Sequence, residues 1–148
     1  MIRPFSLPDL ESILQIENQS FPKSPYDWTT FLNLHALYPE TFLVYVNTNH
    51  GQKGEKILGY IIFSQDGHII SIAVQRHHRR KGIARDLLLR ALKTSHLKKI
   101  WAEVRRGNQG AQAFYTKMGF QMTELVPNYY GNEDALIVQW TPLACESY

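Results

Sequence analysis

The sequence predicts an α/β fold of the α+β kind: a mixed, mostly antiparallel sheet of six to seven strands, with a central parallel pair and about four flanking helices. Three observations predict it. Apolar, β-branched runs at Thr41–Val46, Lys56–Phe63 and His68–Val74 are joined by short connections, which calls for antiparallel pairing. The run Ile69–Val74 then leads into a helical pattern from Gly82 to about His96, followed by another apolar run, Ile100–Arg105. Strand, crossover helix and strand imply a parallel neighbour. Finally, Leu10, Ile13, Leu14 and Glu17 recur at the spacing of one helix face.

Taken in order, Ile2–Phe5 suits a short first strand, and Ser6-x-x-Asp9 resembles a capping box that opens the first helix. Two prolines, Pro22 and Pro25, end that pattern, and Asp27 can cap a second helix from Trp28 to about Leu37. The aromatic and proline-rich stretch Phe21 to Trp28 reads as a packed elbow before a binding wall, because aromatic side chains usually serve packing. Asn47 to Glu55 reads as a mobile surface turn, and Asp66-Gly67 as a hairpin signal. After Val104, the residues Ala111, Ala113, Phe114, Tyr115 and Met118 suit a short helix capped by Gly119. Phe120 to Val126 and Ala135 to Trp140 read as the last strands, separated by the loop from Pro127 to Asn132.

The chain has 148 residues, 44% hydrophobic and 20% charged, the balance of a soluble globular protein. One domain over 1–141, with a frayed tail over 142–148, is expected. A single cysteine, Cys145, excludes an internal disulfide and fits a cytoplasmic setting. No stretch approaches the roughly 20 apolar residues of a membrane span, and the opening MIRPFSLPDL lacks the apolar core of a secretory leader. Five Arg/Lys and two His fall within Arg76 to Arg85, yet no aromatic occurs from Gln75 to Leu97. Nucleic acid as a partner is therefore not expected, since stacking platforms are missing. The adjacent His77 and His78 have no further ligand at metal spacing, so no metal is expected.

The stretch Ile69 to Leu92 carries the chemistry. Between its strand and its helix lie Arg79, Arg80, Lys81, Gly82, Ile83 and Ala84. A helix start has unpartnered N–H groups and the positive end of the macrodipole, and a glycine there allows close approach of a ligand. The pattern is neither a P-loop nor a dinucleotide fingerprint. Arg79-x-x-Gly82-x-Ala84 resembles the pyrophosphate-binding motif of the GCN5-related N-acetyltransferases (GNAT). The run Asn108, Ala111, Phe114, Tyr115, Gly119 and Phe120 resembles the second motif of that family, in the right order. Glu103-Val104-Arg105 and NYYGNEDALIV are similar to the RimI-like branch, which acetylates the α-amino group of protein N-termini, a ribosomal protein among them. Arg76 stands where that family often has proline.

The resemblance implies the GNAT fold, acetyl-CoA as co-substrate, and direct transfer to an N-terminal α-amino group in a ternary complex. It implies that Arg79–Ala84 hold the pyrophosphate, and that Ile72, Ala73 and Val74 line the pantetheine arm. Asn108 and Tyr115 would contact the coenzyme. Glu103 is implied as the base and Tyr115 as the acid. A carboxylate ordinarily titrates near 4.3 and a phenol near 10, so the acid is the better matched of the two. Glu103 could instead pair with Arg105 or Arg106. Tyr26, Tyr129 and Tyr130 are implied as acceptor contacts, with a weaker case for Pro25, Asp27, Glu133 and Asp134. Lysine side chains or small-molecule amines remain alternative acceptors. A monomer or weak dimer is expected.

Overall fold

In the computed structural model, residues 1–47, 55–95 and 99–141 are described. They form seven strands and four α-helices. The turn expected at Asn47 to Glu55 falls almost wholly outside the described residues, as do His96, Cys145 and the tail. The chain divides into two units: Met1–Gln65 with Ile69–Ala91, and Asp66–His68 with the residues from Leu92 onward.

The first unit is built on the antiparallel sheet β1(Ile2–Pro4), β2(Phe42–Asn47), β3(Lys56–Phe63) and β4(Ile69–Val74), in that order. Helices α1(Leu10–Ser20) and α2(Trp28–Leu37) belong to it, as does most of α3(Ile83–Ser95). The Ser6 N–H donates to Asp9 Oδ2 at 2.9 Å, so the expected cap forms, although it opens a single 3-10 turn, Leu7–Asp9, ahead of α1. Asp27 caps α2 by accepting the Thr30 N–H at 2.9 Å. Phe31, Phe42 and Tyr60 meet at ring distances of 5.7 to 6.2 Å in the core, with Ile13, Ile16 and Val44 around them. Phe21 and Tyr26 pack against this core while residues 22–25, 27 and 28 are exposed, so the expected packed elbow is formed by those two side chains alone.

The second unit holds β5(Ile100–Arg105), β7(Ala135–Trp140) and β6(Gln121–Val126), antiparallel in that spatial order, with α4(Gln109–Met118). Gly119 ends α4 at φ +100, the left-handed cap its position predicts. Phe120, read from sequence as strand, completes that cap instead: its N–H donates to Tyr115 O at 2.9 Å. Among the described residues the expected parallel pairing is confined to one bridge, His68 with Trp101. His68, read as the start of a strand, thus belongs to the second unit, and β4 begins at Ile69. Arg76–His78 form a 3-10 turn where the sequence suggests only a loop.

Asp9 shows how the first unit handles a buried charge. Burial alone would raise its pKa, but two 2.8 Å hydrogen bonds from Arg3 and the Ser6 N–H outweigh it and hold the carboxyl below its usual value. Stability from this pair is therefore present above the unfolded carboxylate pKa, near 3.9, and is lost as pH falls through the lower folded value. Removing the cation strands a largely buried carboxylate. Arg3→Ala should destabilise the protein by about 2 kcal/mol at pH 7 and by much less near pH 3, read from urea midpoints at the two pH values.

Candidate active site

Strand β4 ends its sheet. The Gln75 N–H donates to Leu58 O at 2.7 Å, and Gly59 pairs with Val74. The alternation of an antiparallel ladder then turns the peptide groups of Ile72 and Val74 away from β3. One observation confirms the direction: the Val74 carbonyl accepts from Arg79 Nε at 3.1 Å. Arg79 also donates to Ser20 Oγ at 3.1 Å, so its guanidinium is held by the protein itself. Arg80 and Lys81 are exposed. Gly82 has φ +82 with nothing near a would-be Cβ, so its backbone angle rather than crowding favours glycine there. Ile83 and Ala84 begin α3, whose first turn is secured by the Asp86 N–H donating to Gly82 O at 2.9 Å.

Glu103 lies on β5 opposite Ile137. Its carboxylate does not pair with Arg105 or Arg106. It meets His68 instead, with Nε2 2.8 Å from one oxygen and 3.0 Å from the other. The His68 ring is stacked on Trp101 at 4.1 Å and 10°, which fixes its plane. The arginines are engaged elsewhere. Arg105 contacts Glu133 at 3.3 Å and lies over the Tyr130 ring at 4.0 Å; Arg106 contacts Asp134 at 2.9 Å. The Gly107 and Asn128 N–H groups complete those carboxylates, each at 2.9 Å. Glu133 and Asp134 thus pin the loop that bears Tyr129 and Tyr130 to the end of β5.

Tyr115 is buried on α4 between Phe114 and Phe120, with ring distances of 5.0 and 4.9 Å. Burial first, and then the Glu103 and Tyr130 charges, push its phenol far above the usual value of 10. Tyr130 is pushed up to about 12, by burial and then by Glu103, with Arg105 opposing. Glu103, Tyr115 and Tyr130 therefore share one electrostatic field, and His68 joins them through Glu103. Asn108 is spoken for in part: its Oδ1 caps α4 by accepting the Ala111 N–H at 3.0 Å. In the first unit, the Tyr26 N–H donates to Glu17 at 2.8 Å.

Two groups escape a reading of the sequence. His68 follows a hairpin turn with no periodicity to mark it. Glu17 did leave a signal, a carboxylate at a core spacing on α1. Among the described residues no group of three side chains could hold a metal ion.

The profile of the acetyltransferase (GNAT) family matches residues 9–120. The chain is a GNAT acetyltransferase. An uncharacterized N-acetyltransferase of Methanocaldococcus jannaschii is 37% identical over 93% of this chain and 89% of its own length. An N-alpha-acetyltransferase of Saccharolobus solfataricus is 29% identical, covering 93% and 90%. The ribosomal protein bS18-alanine N-acetyltransferase of Escherichia coli K12 is 28% identical, covering 88% and 89%. The crystal structure of Ard1 from Thermoplasma volcanium superposes with a TM-score of 0.77 at 32% identity, covering 97% of each chain. This GNAT enzyme is an acetyl-CoA-dependent N-acetyltransferase. No described helix is long and apolar enough to cross a membrane.

Proposed function

We propose that this enzyme acetylates the N-terminal α-amino group of a protein, within one domain spanning 1–141. What supports this most is the His68–Glu103 pair in the same field as the protonated Tyr115. A free α-amine has a pKa near 8, so a modest base is enough to take its proton at neutral pH. Relatives named for N-alpha and ribosomal-protein alanine acetylation point the same way. A ribosomal protein is one acceptor consistent with them.

Acetyl-CoA supplies an acetyl thioester, and the outward N–H groups of Ile72 and Val74 suit its extended arm as an added strand. Arg80, Lys81, Gly82 and the first turn of α3 suit its phosphates, with Arg79 bracing the turn from behind. Asn108 keeps its amide nitrogen for a coenzyme contact. The Val74 N–H polarises the carbonyl oxygen as the amine nitrogen bonds to the carbonyl carbon. The His68–Glu103 pair takes the proton that the amine gives up, directly or through one water. Tyr115, whose hydroxyl its surroundings keep protonated, hydrogen-bonds the departing sulfur and gives it the proton as the carbon–sulfur bond breaks, although the same burial makes it a weaker acid than the ordinary phenol the sequence suggests. One proton is taken and one is given, and exchange with solvent resets both groups. Tyr26, Tyr129 and Tyr130 contact the acceptor.

Peptides differing in their first residues and each carrying an internal lysine, incubated with enzyme and acetyl-CoA, should gain one acetyl on the α-amine by mass spectrometry. Acetylation of lysine alone would overturn this reading.

Two variants probe the proton transfers. Tyr115→Phe should lower kcat by about 100-fold and leave the calorimetric affinity for acetyl-CoA within twofold. Glu103→Gln and His68→Asn should each lower kcat, and the double variant should lose little more than the worse single one, because the pair acts as a unit. Multiplying losses would separate the two roles.

A further inference from the structure

Glu17 is a carboxylate on the core face of α1, 2% exposed. Its partners are neutral donors: Oε1 accepts a short hydrogen bond from the Tyr60 hydroxyl, and Oε2 accepts the Tyr26 N–H at 2.8 Å. The Tyr60 hydroxyl also contacts Ser71 Oγ at 3.0 Å, on β4, beside the Ile72–Val74 segment. An apolar side chain at position 17 would fill a core site without the desolvation cost of a carboxylate. What the carboxylate adds is an oxygen for the backbone of Tyr26 and a link from there, through Tyr60, to β4. The same loop is tied at its other end, where Arg79 joins Ser20 Oγ to the Val74 carbonyl. Residues 21–27 are thus fixed at both ends to the strand that the proposed thioester arm follows.

We propose that Glu17 is a positioning residue for the acceptor, setting the loop 21–27, and Tyr26 with it, at a fixed height on β4. This rests on the reading of the enzyme as a peptide α-amine acetyltransferase with Tyr26 at its acceptor. Glu17 does not touch the reacting atoms; it determines where the peptide's first residues lie relative to the acetyl group.

The test uses the full chain, acetyl-CoA and the best peptide of the panel above. Glu17→Leu should raise the peptide KM about tenfold, the loss of one hydrogen bond, with kcat and the acetyl-CoA KM within twofold. Glu17→Gln keeps an oxygen for the Tyr26 N–H and should restore the peptide KM to within twofold. An unchanged peptide KM in Glu17→Leu, or a parallel fall in kcat and both affinities, would overturn the proposal. Amide exchange in the unmodified enzyme gives a readout independent of any variant's folding. The Tyr26 amide should exchange at least about tenfold more slowly than that of Lys23, and equal rates would overturn the proposal. Failure of the unmodified enzyme to acetylate any peptide α-amine would overturn both this proposal and the functional reading beneath it, before any variant is made.

Discussion

Taking a carboxylate out of water costs several kcal/mol unless donors replace the lost hydration, and this constraint organises both units of the enzyme. Three carboxylates meet it in three ways. Asp9 is given a guanidinium, a permanent charge, and stays ionised. Glu17 is given neutral donors, a phenol and a peptide N–H, and its pKa rises because burial outweighs them. Glu103 is given an imidazole. The difference is chemical. A guanidinium cannot accept or release a proton at neutral pH, so the Arg3–Asp9 pair can only brace β1 against the turn before α1. An imidazole nitrogen can give or accept a hydrogen, so in the proposed mechanism the pair it forms with Glu103 is the one that handles a proton. Fold and chemistry are separated by the partner each carboxylate receives.

Local features of this fold were legible in the sequence because they depend on neighbours in the chain. The caps at Ser6 and Asp27, the left-handed Gly119, the helical spacing of α1 and the antiparallel run of β2 to β4 each need only a few adjacent residues. The positive φ of Gly82 and the place of Tyr115 on α4 were legible because the motifs that carry them are short. The long-range pairings are of another kind. His68 and Glu103 are 35 residues apart, Glu17 and Tyr60 are 43 apart, and Arg105 and Glu133 are 28 apart. Periodicity carries no information about such partners. Proximity in sequence therefore offered a nearby arginine as the alternative partner of Glu103, whereas Arg105 and Arg106 meet the acidic loop before β7 and Glu103 meets His68.

The charged residues best placed to attract a ligand are in several cases satisfied within the protein. Glu133 and Asp134 hold the loop of Tyr129 and Tyr130 to the end of β5. Arg79 holds the end of α1 to β4. A loop tied down by charged pairs gives up conformational entropy before any ligand arrives, so less is lost when one binds. In this light, the same motif residues that look like contacts in sequence act as the supports of contacts in the fold.

In the proposed mechanism, strand β4 carries that logic to the reacting group. In an antiparallel ladder, the N–H and C=O of one residue point to the same side, so an edge residue ordinarily offers both a donor and an acceptor. At Val74 the acceptor is already engaged by Arg79 Nε at 3.1 Å. The N–H lies on the same side, and the arginine competes with any ligand for the carbonyl beside it. An edge position that offers chiefly a donor suits a ligand that brings an oxygen, which is what a thioester carbonyl offers. In the proposed mechanism, the arginine that the motif assigns to phosphate thus has a second consequence one turn of chain away: it makes the Val74 N–H a donor site for a developing oxyanion.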